Sequence, residues 1–223
     1  MIFNGEDLSR QALADRLPSD ESHTFRECDL TEADLWGAPL AGARFESCVL
    51  DGADFRKADL DGAAFTGGGG MRIRFSDADL IDASFTDIDL SSAHFAGALL
   101  TDASFTGCRM IGAVLTGSRG TGFTLSRSNL TLANLGGCSL RGQTIEGVRF
   151  DDADLAGCDF TDTTLIDCRL RGTRLLDTKF AQADLRGADL GELDDAKLRE
   201  FAGAVITQAQ AAAILAGRGI TVL

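Results

Sequence analysis

Six cysteines (Cys28, Cys48, Cys108, Cys138, Cys158 and Cys168) and two histidines (His23 and His94) have the widest chemical repertoire in this 223-residue chain. A thiolate can attack a carbonyl, hold a metal or cross-link the chain. The arrangement argues against each. No C-x-x-C spacing is present, the histidines lie far apart in sequence, and no Ser-His-Asp or Cys-His pairing is suggested. "GGGGMR" (Gly67–Arg72) lacks the Lys-Ser/Thr that lets a glycine loop cradle phosphate. These observations predict a protein that is not an enzyme and uses no cofactor or metal. Carboxylates are the abundant reactive group. Thirty-four Asp and Glu face 21 Lys and Arg, for a net charge of -13. Such a surface disfavours nucleic acid phosphates and anionic membranes, and suits a basic partner.

What positions these groups is a repeat. In "ADLWGAPLAGARFESCVLDGADFRKADLDGAAFT" (Ala33–Thr66) a large apolar residue returns every fifth position. From Phe25 to Leu190, 32 of 34 such slots hold Leu, Phe, Met or Ile, the exceptions being Gly70 and Gly120. The slot two residues earlier holds a small residue (Ala, Cys, Ser, Thr, Gly or Val) in 29 of the 34 units. All six cysteines occupy it, which makes them small core residues. Stacked pairs such as Cys28 and Cys48 would run parallel, poorly placed for a disulfide. His94 falls on an outward slot, and both histidines are expected to be solvated.

Five matches neither the helical period of 3.6 nor the strand period of 2. Residues two apart in an extended segment face one way, so the small and large residues point inward and the Asp or Asn between them points out. The other two residues turn the chain, with frequent Gly. Each pentapeptide is thus one short wall and one corner of a solenoid. From Phe45 to Phe105 the large slot alternates Phe and Leu, apart from Gly70. A coil of four walls places the Phe columns on opposite sides and equalises the volume of every layer, as close packing requires. Later, Phe150, Phe160 and Phe180 move to the Leu walls, with layer volume expected to be kept. The prediction is an all-β, quadrilateral β-helix of about 8.5 coils, roughly 40 Å long at ~4.8 Å per coil.

The ends depart from the repeat. Residues 1–22 are expected to form an irregular N-terminal coil, with Phe3, Leu8 and Leu13 in a shifted frame and Pro18–Ser22 absorbing the slip. Residues 23–192 form the repeat. Residues 193–223 form a C-terminal helical element: a short turn after Asp194, then an Ala-rich helix with a Thr207/Gln210 capping box, and a closing strand "ITVL". Open solenoid ends must be capped or paired. Ile206, Ile214 and Leu215 are the candidate dimer contacts.

Sorted by wall, the charges divide. The wall centred on Leu40, Leu60, Leu80 and Leu100 carries Asp59, Asp61, Asp79, Asp82 and Asp102, with no base from Ala38 through Asp102. The belt from Arg109 to Arg141 has four Arg and no acid. A charge of -13 over the rod is about one per 3 Å, roughly half the density of duplex DNA. The breaks "TGGGGMRIRF" (Thr66–Phe75) and "GSRGTGFTL" (Gly117–Leu125) keep the frame. Each is either a local bulge or a displaced wall that presents Arg72, Arg74 or Arg119 to a partner.

The "A(D/N)LxG" units resemble the pentapeptide-repeat family, and that resemblance implies a right-handed quadrilateral β-helix. "LTLANLGGCSLRG" (Leu130–Gly142), "DLRGADLGELD" and "GAVITQAQAAAILAGRGITV" resemble its Qnr and MfpA branch. That branch protects DNA gyrase and topoisomerase IV from fluoroquinolones and related poisons. The resemblance implies a DNA-like rod, dimeric through its C-terminal helix, that occupies the DNA-binding surfaces of those enzymes. Without long loop insertions the chain looks nearer to MfpA or to immunity proteins of poison producers. The alternative is a structural scaffold whose acidity serves solubility. No apolar run approaches a transmembrane length, and the N-terminus lacks the pattern of a signal peptide. A cytoplasmic location is expected.

Overall fold

The computed structural model of the protein describes residues 1–19 and 21–222. Ten strands form one parallel sheet in chain order. They are β1 (Ile2–Asn4), β2 (Thr24–Arg26), β3 (Arg44–Glu46), β4 (Ala64–Thr66), β5 (Ser84–Thr86), β6 (Ser104–Thr106), β7 (Thr124–Ser126), β8 (Thr144–Glu146), β9 (Thr164–Arg169) and β10 (Asp184–Asp189). The register pairs Phe25 with Phe45, Phe45 with Phe65 and so on, one coil every twenty residues. Single parallel bridges build the other three walls, running Asp29–Val49–Gly69–Asp89–Arg109, Asp34–Asp54–Arg74–His94 and Pro39–Asp59–Asp79–Leu99–Arg119. Twenty residues over four walls is five per wall. The fold is the quadrilateral β-helix that the repeat implies, right-handed as the resemblance implies, about nine turns long, with a short helical C-terminal region.

The core follows the slots. Phe25, Phe45, Phe65, Phe85 and Phe105 stack at 4.6–4.9 Å. Phe55, Phe75 and Phe95 stack on the opposite wall at 5.2–5.4 Å. The columns meet edge to face, as at Phe45–Phe55 (5.5 Å, 88°). Both arrangements suit the aromatic quadrupole. Hydroxyls and thiols are tolerated in the small slot because a backbone carbonyl of the previous coil accepts from them, in some cases as a second donor beside a backbone N–H. Thr163 donates to Leu140 O (2.8 Å), Thr178 to Leu155 O (2.8 Å) and Cys158 to Leu135 O (3.1 Å), each 23 residues earlier.

Corners adopt left-handed backbone at many residues that are not glycine, among them Asp82, Asp87, Asp102 and Arg127. Positive φ therefore does not by itself demand glycine here. At Gly97, Gly107, Gly122 and Gly172 an added Cβ would also meet the carboxylate of Asp77, Asp87, Asp102 or Asp152 on the previous coil, a side-chain end that would have to swing aside. The outward Asp of the repeat has its own local duty. Its carboxylate accepts from the N–H two residues on, as at Asp29–Thr31 (2.9 Å) and Asp159–Thr161 (2.9 Å), the Asx turn.

Several expectations are corrected. The wall at Gly70 is not displaced. Gly70 N–H donates to Asp89 O (2.7 Å) and the Val49–Gly69–Asp89 bridges are intact. Ile73, oversized for its small slot, places Cδ1 3.5 Å from where a Cβ on Gly70 would stand, and so fills the vacancy. Phe123 plays the same part beyond Gly120. Its ring is buried and meets Phe105 edge to face at 6.5 Å. It supplies the bulk of a layer whose large slots, Leu125, Leu130, Leu135 and Leu140, contain no ring. His23 is not solvated. It occupies the inward slot, 1% exposed, with Nε2 3.0 Å from Pro18 O and Nδ1 unpartnered. The first coil is longer by two residues, pairing Phe3 with Phe25, and includes a 3-10 turn at Ala14–Arg16. Asp20, in the segment expected to absorb the slip, lies outside the described residues.

At the other end, α1 (Asp195–Glu200) is capped by Asp194, which accepts from Lys197 N–H (2.8 Å). The second helix, α2 (Gln208–Ala216), carries the Thr207/Gln210 capping box. Residues 220–222 form no strand, because the Ile220 N–H turns back to Leu215 O (3.0 Å). Leu223 lies outside the described residues.

Candidate functional site: an acidic strip on one wall

The strip is built by stacking. Asp59 and Asp79 bridge directly within the Pro39–Asp59–Asp79–Leu99–Arg119 column. Asp61, Asp82 and Asp102 stand on the adjoining corners, exposed, as is Asp59; Asp79 is half-buried. Asp59 and Asp79 also accept from Asp61 N–H (3.3 Å) and Ile81 N–H (3.1 Å). Among the described residues none of the five forms an ion pair. The fold therefore brings together five uncompensated carboxylates from three successive coils. The column ends at Leu99 and then Arg119, whose Nε is turned to Gly97 O (2.9 Å).

The two other arginines singled out at the breaks differ. Arg72 stands exposed on a left-handed corner. Arg74 reaches Asp54 Oδ2 at 3.2 Å, and Arg56 holds the same carboxylate at 2.7–2.8 Å. Burial alone would raise the Asp54 pKa. The Arg56 hydrogen bonds and the Arg74 charge outweigh it and hold the group below the ordinary carboxylate value. Proximity in sequence did not reveal this Arg–Asp–Arg cluster; the twenty-residue step from Asp54 to Arg74 does.

The basic belt disperses over several walls. Arg119 joins the acidic column, and Arg141 pairs with Asp162 (2.9 Å). Arg109 and Arg127 stay together, and Arg149, from outside the belt, joins them around one cleft. The thiols offer no nucleophile. All six are buried and free, and burial pushes Cys158 to about 12 and Cys48 and Cys108 to about 11.

At the C-terminus, Ile206 packs against the core while Ile214 and Leu215 are only half-buried. Gln210, beyond its capping role, donates from Nε2 to Leu185 O and Ala188 O (both 2.8 Å) and pins α2 to the last coil. Between them runs a groove of about 1190 Å³ lined by Leu190, Leu193, Ile214 and polar neighbours. No described helix is long and apolar enough to cross a membrane.

Comparison with known proteins places the architecture. No curated protein sequence matches the chain at a significant level. Among solved structures the chain is similar to full-length QnrB1, a plasmid-mediated fluoroquinolone resistance protein, at 22% identity and TM-score 0.67, covering 98% of this chain and 97% of that one. It is also similar to HetL of Nostoc sp. strain PCC 7120, a pentapeptide repeat protein involved in regulating heterocyst differentiation. That match has 21% identity and TM-score 0.51, over 91% of this chain and 84% of that one. At these identities the likeness is one of fold. The family model for a pentapeptide repeat region matches residues 38–115, and that for pentapeptide repeats in eight copies matches 124–162 and 158–194. With its five-residue slots, four walls and both family models in agreement over most of its length, the chain belongs to the pentapeptide-repeat family.

Proposed function

We propose that this protein binds DNA gyrase, and topoisomerase IV, in place of DNA, and so protects the enzyme from fluoroquinolones or related poisons. The observation that carries the reading is the strip of five unpaired carboxylates, two on one parallel ladder and three on its adjoining corners. Basic grooves that receive DNA gain much of their affinity from phosphate charge, and a stiff acidic rod supplies charge in a similar array. The likeness to QnrB1 supports the same direction. In this reading Arg119, at the end of the strip's column, is a further partner contact, Arg72 is a separate one on the far corner of the coil, and Arg74 is engaged at Asp54. A second copy covers the C-terminal groove through Ile206, Ile214 and Leu215, lengthening the rod. The protein then works where gyrase does, in the cytoplasm.

The test replaces Asp59, Asp61, Asp79, Asp82 and Asp102 together by Asn. Asn accepts the same turn bonds and tolerates the same left-handed corners, so the fold is expected to persist. Gyrase affinity at low salt falls at least tenfold in this reading. Unchanged affinity, with an unchanged melting curve, overturns it.

A second reading is favoured by one observation: many outward Asp residues cap their own turns, including Asp59 and Asp79. Acidity then follows from the repeat, and the protein is a structural scaffold. That reading expects no effect on gyrase supercoiling at any concentration.

A further inference from the structure

Arg109, Arg127 and Arg149 line one cleft of about 530 Å³ on the wall next to the β-sheet, with Ser128, Asn129, Gly107 and Gly147. The sequence separates Arg109 from Arg149 by two full coils, and the fold stacks Arg109, Asn129 and Arg149 in one bridged column. Arg127 stands on the adjacent corner between two glycines. Gly107 and Gly147 place no side chain above or below it, and this opens the cleft. All three arginines are exposed. Their compensation is poor: Asp89 comes only to 3.9 Å of Arg109, and among the described residues Arg127 and Arg149 have no carboxylate partner. The nearby Asp151 is taken by Arg169 (3.2 Å). In a molecule of net charge -13 this is a local concentration of guanidinium groups.

We infer that this cleft binds a compact phosphate-type anion. Guanidinium groups present planar donor forks that match phosphate oxygens, and Asn129 adds an amide beside them. The size of the ligand follows from the surroundings. The same corner column carries Asp87 one coil before Gly107, with its carboxylate over that glycine, and Asp167 one coil after Gly147. Glu146 stands beside the cleft on β8. A long polyanion laid along the column would meet all of these acids, whereas a single phosphate or a short polyphosphate held at Arg127 and Arg149 meets fewer of them.

Isothermal titration of the full chain with inorganic pyrophosphate tests the inference. Saturable binding near one per chain is expected. Arg127→Gln with Arg149→Gln weakens it at least tenfold, and Arg72→Gln, outside the cleft, leaves it unchanged. Glutamine suits the left-handed corner, since Gln182 occupies one. If the double variant melts early, Arg149→Lys is read instead. It keeps the charge, loses the fork, and weakens binding by a smaller factor. An ATP arm compared with tripolyphosphate separates the sources: tighter ATP binding assigns a nucleotide, equal binding assigns the phosphate alone, and both support the cleft. No saturable binding, or equal weakening by Arg72→Gln, overturns it.

Discussion

The two interruptions of the repeat are the same lesion with different outcomes. Gly70 and Gly120 each remove a large inward side chain, and each is answered three residues later by an oversized residue, Ile73 or Phe123. At Gly70 the backbone ladder runs through unbroken. At Gly120 it opens. Arg119 still bridges Leu99, but no bridge joins it to Ser139, and β7 meets β8 only at Ser126–Glu146. The Gln143 side chain spans the gap, donating to Phe123 O (2.8 Å) while its Oε1 stays buried without a partner. Filling the core and keeping the ladder are therefore separable tasks. The opened seam also marks where the acidic column gives way to Arg119, so the candidate DNA-like strip occupies the continuous part of the rod.

Removing the two fillers probes the first task. Phe123→Ala is expected to cost about 3–5 kcal/mol and Ile73→Ala about 2–4 kcal/mol, read from chemical denaturation. The larger loss belongs to Phe123 because its layer holds no other ring. Equal, small losses would mean that the cores at the two glycines are not filled as described. Next in size is Asp54, which ties the wall near the sealed interruption. Asp54→Asn is expected to cost on the order of 1–3 kcal/mol at neutral pH. Its folded pKa is depressed, so this stability is present above the unfolded carboxylate pKa and is lost as pH falls through the lower folded value. Wild type and variant should therefore converge in melting temperature on acidification below about pH 4.

The glycines themselves give opposite signs. Gly120 has φ +90°, and a Cβ there would collide with Thr101, so Gly120→Ala is expected to destabilise by about 1–3 kcal/mol. At Gly70 the φ is ordinary and a Cβ would sit 3.5 Å from Ile73 Cδ1, a normal contact. Gly70→Ala is expected to be neutral or to stabilise by about 0.4–1 kcal/mol. Thermal melts of the pair decide this, and matching signs would erase the distinction between the two sites.

The parts of the molecule legible in the sequence are those written in single slots. Phe and Leu at every fifth position gave the wall length, and their alternation through Phe105 gave four sides. Thr207 and Gln210 marked the cap of α2. Other features depend on pairing across a coil. Arg74 meeting Asp54, Arg149 joining Arg109, and Asp87 lying over Gly107 each require the twenty-residue step to be applied to the outward positions. Two misses had a visible signal. His23 occupies an inward slot, two before Phe25, and burial followed from its place. Ile73 and Phe123 are too large for small slots, three residues after each glycine, and that coincidence pointed to filling. Of the candidate site, the five Asp residues were legible as a group because the wall assignment alone brings them together. The half-open C-terminal groove was not, because Gln210 anchors α2 by backbone carbonyls that leave no mark in side-chain pattern.

The central claim is that the acidic strip takes the place of DNA. Purified gyrase carrying a labelled DNA duplex, titrated with this protein at low and at moderate salt, tests it most directly. The account predicts mutually exclusive binding, with the duplex released and the competition weakening as salt rises. A stable ternary complex that holds both duplex and protein would contradict it.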